Sequence, residues 1–438
     1  MQTSLLVGSG VADLTPRQGE AKIPPAQGPG SPLLAKALAF ECQGKAAALV
    51  GYDLVLLTRE TVEQVRSLVE ERTGIPAAQV MLCASHTHSG PSTSEWLTKD
   101  LDVAYLDWVA EQIAEAVAMA WEARQPSHVA VGKGICGLAV NRWVETPTGA
   151  YWGVAWDAPT DNSVTVLKVT SPEGTPRAAM VNFAAHASVM SFGKAIRYSA
   201  DFPGFLRDYL EERYPGLSAV FTNGASGDLK IAFVDEEGRQ FAYGDLEDAR
   251  RYGYELGREA EAAMERARPR PVEELQVASV WCELPVGEPP SREELLREIE
   301  KPHYPQFGTR WGHAMLEKLD AGTLPRSFSA EVQALRLGDV ATLVAVPVEA
   351  FAEIGLRLRN ELARFYPGLG LLGYANGYAG YLPARRSVVV DGSRPRYDWC
   401  KFLEIPAVYT ADAEDVLVEA VHTVLGSLRD EAKSTAEG

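Results

Sequence analysis

Seven histidines in 438 residues make their placement informative. Two stand in Cys83-Ala-Ser-His86-Thr-His88-Ser-Gly-Pro91, where Val80–Cys83 reads as a strand and Ser89-Gly90-Pro91 as a turn. In an extended chain residues i and i+2 share a face, so His86 and His88 can point into one cleft. One imidazole could then ligate a metal and the other act as its neighbouring acid or base; two polar loop residues are the plainer alternative. His186 ends the apolar run that begins at Met180, and Ala187 and Ser188 after it leave room for a ligand. A core histidine satisfied by a carbonyl is the alternative there.

Three further stretches carry chemistry-bearing groups. In Phe221-Thr-Asn223-Gly224-Ala-Ser226-Gly-Asp228 a strand breaks into small residues, and the N–H groups around Asn223 and Gly224 are candidates to face a substrate oxyanion, with a structural turn as the alternative. The phosphate-loop spacing GxxxxGK[ST] is absent. Glu349, in Val346-Pro-Val-Glu349-Ala-Phe351, sits where a strand meets a helix, as a functional carboxylate or only a dipole partner. Tyr374, Tyr378 and Tyr381 lie among glycines in a loop that can present phenols to a cleft, or is only a surface aromatic loop.

The elements that must hold these groups follow from the apolar pattern. Buried strands are expected at Ala46–Leu57, Val80–Cys83, Val164–Val169, Ala178–Ala184, Ala219–Thr222 and Ala341–Val346, and near Val277–Leu284 and Glu331–Leu337. Helices are expected at Thr61–Arg72, Val103–Ala123, Phe205–Tyr214, Leu246–Arg268, Glu349–Phe365 and Ala413–Leu428. Alternation of the two predicts an α/β class, mixed sheets covered by helices, with the candidate site at strand ends. The segment 287–327 turns charged after Pro289-Pro290 and reads as a helical insertion, a cap over the site or a surface excursion. Residues 433–438 read as a frayed tail.

Composition narrows the partners. The net charge is −17, with 46% hydrophobic and 23% charged residues, an ordinary globular balance. That charge argues against nucleic acid or an anionic membrane as the main partner. No uncharged apolar run is long enough for a transmembrane segment, and the start does not read as a signal peptide. Five scattered cysteines without CxxC fit reduced thiols and a cytoplasmic location, and disfavour a cysteine zinc site.

Taken in order, His86-Thr-His88-Ser-Gly-Pro91, Asn141-Arg142, the strand ending at His186, Gly227-Asp228, Pro347-Val-Glu349-Ala-Phe351 and Gly380-Tyr381 resemble the catalytic domain of the neutral/alkaline (non-lysosomal) ceramidase family. The resemblance runs from Gly8 to Tyr397 and implies one catalytic domain over 1–438. It implies a zinc amidohydrolase, with Zn2+ held at strand ends by His86, His186, Glu349 and Tyr381. His88 would carry the proton, and Arg142 would steady the oxyanion with help from a later tyrosine, for which Tyr397 is the nearest match. Asp53 and Asp201 are candidates to accept the second N–H of a metal-bound imidazole, or to be a cap or loop partner.

The resemblance has departures. Secreted relatives carry a C-terminal immunoglobulin-like domain, whereas this chain ends soon after the tyrosine loop. Relatives also place a serine two residues after Gly-Asp, where this chain has Lys230. The expected activity is cleavage of a linear amide in an N-acyl substrate, ceramide-like or smaller, by zinc-bound hydroxide. A zinc-dependent esterase or lactonase and a non-catalytic binding protein that keeps the pocket are the alternatives.

Overall fold

A computed structural model describes residues 5–16, 30–95, 101–146, 149–190, 197–302, 307–388, 401 and 405–436, without the side chains of 429–436. The first sheet has five strands in the order Val80–Ala84, Lys45–Tyr52, Leu34–Cys42, Leu6–Asp13, Gln125–Pro126. The second runs Ser218–Asn223, Pro176–Phe183, Ser163–Thr170, His128–Ile135. The third is Leu229–Ile231, Ala139–Thr146, Gly149–Ala155, and the fourth Leu275–Pro285, Ser327–Leu337, Ala341–Ala345, Leu369–Leu372. A two-stranded ribbon pairs Glu349–Ala350 with Tyr381–Leu382.

Each of the first, second and fourth sheets contains one strand–helix–strand crossover to a parallel neighbour. Helix Arg59–Thr73 links Lys45–Tyr52 to Val80–Ala84, and Phe202–Arg213 links Pro176–Phe183 to Ser218–Asn223. Ala352–Leu362 links Ala341–Ala345 to Leu369–Leu372. In such units the carboxyl ends of the parallel strands collect ligand-binding residues, because the chain leaves the sheet there in irregular loops. Here His86, His186, Glu349 and Tyr374 follow those ends within a few residues, and Asn223 is the last residue of its strand.

The expected α/β class with mixed sheets is what the structure has, and every expected strand and helix overlaps an observed one. Two boundaries shift for local reasons. The helix expected from Glu349 starts at Ala352, because the N–H groups of Glu349 and Phe351 are taken by Gly380 O and Leu382 O of the ribbon. The last helix, Asp412–Ala436, continues through most of the expected frayed tail. The strand Leu6–Asp13 escaped the apolar pattern because glycines interrupt it. Those glycines serve packing: a Cβ on Gly8 would lie 2.0 Å from Ala120 O, so only glycine lets helix Val103–Glu122 lie against this strand.

The insertion forms helices Arg292–Glu300 and Gly308–Asp320. Leu295, Trp311 and Met315 make a small apolar cluster against which the partly buried rings of Tyr378 and Tyr381 pack. Among the described residues no helix is long and apolar enough to cross a membrane.

Candidate metal centre

His86 follows the strand Val80–Ala84 in a left-handed backbone conformation, φ 61°. Histidine is among the residue types that tolerate this region, and the conformation turns the chain out of the sheet. Its ring Nδ1 lies 2.6 Å from Val55 O. His186 Nδ1 lies 2.8 Å from Ser226 O and 3.1 Å from Leu229 O. A nitrogen facing a carbonyl carries the hydrogen, so both rings are assigned the Nδ1–H tautomer and turn an Nε2 lone pair inward.

The two inward nitrogens meet one carboxylate oxygen. Glu349 Oε2 is 3.4 Å from His86 Nε2 and 3.1 Å from His186 Nε2. All three side chains are buried, and among the described residues neither His86 Nε2 nor Glu349 Oε2 has a hydrogen-bond partner. Three lone-pair atoms facing one another out of water repel unless a cation lies among them. The donor set fits a divalent metal on that ground. His88 joins the group: ligand atoms of His86, His88 and His186 lie within 4.8 Å of one another.

The protonation preferences agree. Burial, then Arg142, lowers His186 to about 3, which keeps the ring in its neutral, ligating form. His88 opens on one side to the cleft. The protein packed around it, then His86, His186 and Arg142, push it well below an ordinary histidine.

The tyrosine loop closes the site. Tyr378 OH donates to Glu349 Oε1. Tyr374 lies over His86 with ring centroids 4.2 Å apart, and its hydroxyl is 2.8 Å from Ser226 Oγ. Tyr381 stacks parallel to His186 with its hydroxyl 3.5 Å from Nε2. Burial and the Glu349 charge raise the pKa of all three phenols, so each stays protonated. Arg142 Nη2 donates to Tyr381 OH at 3.1 Å and to Gly227 O at 2.7 Å. Its backbone is set by Arg142 N donating to Asp228 O, and Asp228 in turn takes Asn141 Nδ2 and Ala352 N. Burial raises Asp228 to about 7. Gly227 permits this contact, since a Cβ there would sit 2.3 Å from Glu349 O.

Four sequence candidates are placed otherwise. Asp53 accepts from both Nη atoms of Arg207 and from Leu34 N, and both imidazole Nδ1 atoms face main-chain carbonyls, so no imidazole hydrogen reaches it. Asp201 caps helix Phe202–Arg213 and accepts from Met190 N. Gly224 N donates to Phe183 O and to Asn223 Oδ1, and Asn223 Nδ2 ties together Ser85 O and Ala185 O. Asn223 and Gly224 therefore brace the strand ends that carry His86 and His186, and their donors are already taken. Tyr397 lies outside the described residues. Tyr374 and Tyr378 stood in the sequence as members of an aromatic loop without separate roles. The glycines spaced among the tyrosines were the signal: Gly377 and Gly380 take positive φ, and the turns they allow bring all three phenols to the site.

No protein-family model matches this chain. A sequence relative is neutral ceramidase B of Dictyostelium discoideum, 25% identical over 256 residues, which is 52% of this chain. The match spans about a third (35%) of that relative's length. Two solved structures are similar, one described as neutral ceramidase from Pseudomonas aeruginosa and one as ceramidase complexed with C2. Each has a TM-score of 0.74 at 18% identity over 98% of this chain, and the match covers 75% and 76% of those chains respectively.

Proposed function

From a chain that carries the neutral-ceramidase fold and is related in sequence to that family, we propose a metal-dependent hydrolase that cleaves the amide bond of an N-acyl substrate, ceramide-like or smaller. The observation that carries this reading is the convergence of His86 Nε2, His186 Nε2 and Glu349 Oε2 with no hydrogen assigned between them. Two neutral imidazoles and a carboxylate, with a phenol nearby, are a donor set suited to catalytic zinc. When bound, the ion supplies Lewis acidity toward the acyl carbonyl and acidifies water.

The remaining steps belong to side chains. Tyr378 and the two carbonyl-bonded Nδ1 atoms fix the orientation of the three ligands. Arg142, buried and bonded to Tyr381 OH, offers a fixed positive charge where the carbonyl oxygen gains negative charge. His88, neutral and open to the cleft, can accept the proton of the attacking water at a ring nitrogen and return it to the leaving nitrogen.

Metal analysis and turnover test the reading together. Wild-type protein should hold about one zinc per chain, hydrolyse an N-acyl amide, and lose both in His186→Ala. A matched ester assayed beside the amide separates amidase from esterase. Wild-type protein that binds no divalent ion would overturn the site, and zinc-loaded protein that cleaves neither substrate would overturn the activity.

A further inference from the structure

The catalytic candidate Arg142 is gripped from a second side. Its guanidinium carbon lies 4.9 Å from the centroid of Trp152 and 5.8 Å from that of Tyr381. Arg142 itself is buried, while Trp152 is 44% exposed. Trp152 stands on the strand Gly149–Ala155. A register shift between Asn141 and Trp143 puts it, rather than Gly153, opposite Trp143. The two indoles meet edge to face at 5.7 Å. On its other side Trp152 meets Phe241 at 5.9 Å, and the rings of Phe241 and Tyr243 both lie beside Lys230 Nζ. Tyr243 is 47% exposed. An aromatic surface therefore starts at the guanidinium that touches Tyr381 and runs outward to the solvent, on a chain whose net charge is −17.

Two physical consequences follow. A cation over an indole face is held in orientation as well as attracted, and the interaction is strongest where water is excluded. Among the described residues the buried Nε of Arg142 has no hydrogen-bond partner, so its orientation there rests on Nη2 and on this ring. Exposed apolar rings contiguous with a polar site are the usual lining for the apolar part of a ligand whose polar bond is held within.

We infer that Trp152 positions Arg142 and, with Phe241 and Tyr243, lines the path of an apolar chain attached to the scissile bond. The inference rests on the hydrolase reading for its kinetic half only. Trp152 is a positioning and specificity residue, since it reaches the reacting atoms through Arg142.

The test compares acetyl and dodecanoyl amides of one amine in wild-type, Trp152→Phe, Trp152→Leu and Trp152→Ala proteins. Wild type should favour the dodecanoyl amide in kcat/KM. Trp152→Leu keeps apolar surface but no ring face, so kcat should fall roughly tenfold on both amides while the chain preference survives. Trp152→Ala should lose kcat and most of the chain preference, and Trp152→Phe should restore both. A second arm needs no turnover: calorimetric titration of the zinc-loaded protein with dodecanoate should show binding at least about fivefold weaker in Trp152→Ala. Loss of turnover in wild type with this binding difference intact would refute the hydrolase reading and spare the lining. Equal dodecanoate binding in wild type and Trp152→Ala, or none in wild type, overturns the lining. An unchanged kcat in Trp152→Leu overturns the positioning role.

Discussion

The pair Arg207–Asp53 makes the sharpest separation between holding the fold and serving the metal. Asp53 directly follows the strand Lys45–Tyr52, and Arg207 lies on helix Phe202–Arg213, which packs on the sheet that carries His186. The contact is two-pronged, with the carboxylate fully buried and the guanidinium 3% exposed. Lys36 and Glu211 pair beside it, so four charges join the first sheet to that helix. Removing one partner of such a buried pair strands the other charge at low dielectric, at a cost of about 3–5 kcal/mol. Arg207→Met and Asp53→Asn should each lose about that much in reversible urea unfolding, and the double variant should lose at least ~1 kcal/mol less than the sum. The folded fraction of Asp53→Asn should bind zinc as wild type does, since the Nδ1 atoms of His86 and His186 face main-chain carbonyls and not Asp53. The outcome that refutes this is a small stability loss, below about 1 kcal/mol, with zinc affinity reduced about tenfold to a hundredfold, the signature of a partner that orients a ligating imidazole.

Other perturbations have definite expected outcomes. Gly227→Ala forces a Cβ against Glu349 O and should cost about 1–3 kcal/mol while lowering zinc content, measured on the same preparation. Burial lowers the Lys230 ammonium to about 8, against the pull of Asp201. Below about pH 8 both folded and unfolded chains hold this proton and the folded state bears the full cost, about 3 kcal/mol. Between about 8 and 10.5 the folded state releases it first, so the contribution to stability rises with pH, and Lys230→Met should remove that part of the slope in melts across this window. Tyr378→Phe leaves the Glu349 carboxylate short of one donor and should weaken zinc binding about tenfold, read by competition with a chelator.

Much of the architecture was legible because buried parallel strands are continuous apolar runs and their crossover helices are amphipathic. Val80–Ala84 and Pro176–Phe183 show this, and each delivers a histidine at its end. Leu6–Asp13 was not legible, since its glycines answer to a helix about a hundred residues away in sequence. The start of helix Ala352–Leu362 was misplaced for a related reason: Glu349 has the composition of a helix start, but a ribbon partner from Tyr381–Leu382 captures its N–H.

The site divides the same way. Residue type and local spacing marked His86, His88, His186, Glu349 and the tyrosine loop, because chemistry restricts which side chains can appear at a strand end facing a cleft. Roles set by partners distant in sequence were beyond reach of spacing. Asp53 looked like an imidazole acceptor until Arg207 took its carboxylate, and Asn223 and Gly224 looked like free donors until the carbonyls of Ser85, Ala185 and Phe183 used them. Sequence alone thus marked the candidate side chains, the strand ends that carry them and the fold class. Only the tertiary structure decided which lone pairs face one another, because hydrogen-bond partners are assigned by packing between elements and not by neighbours along the chain.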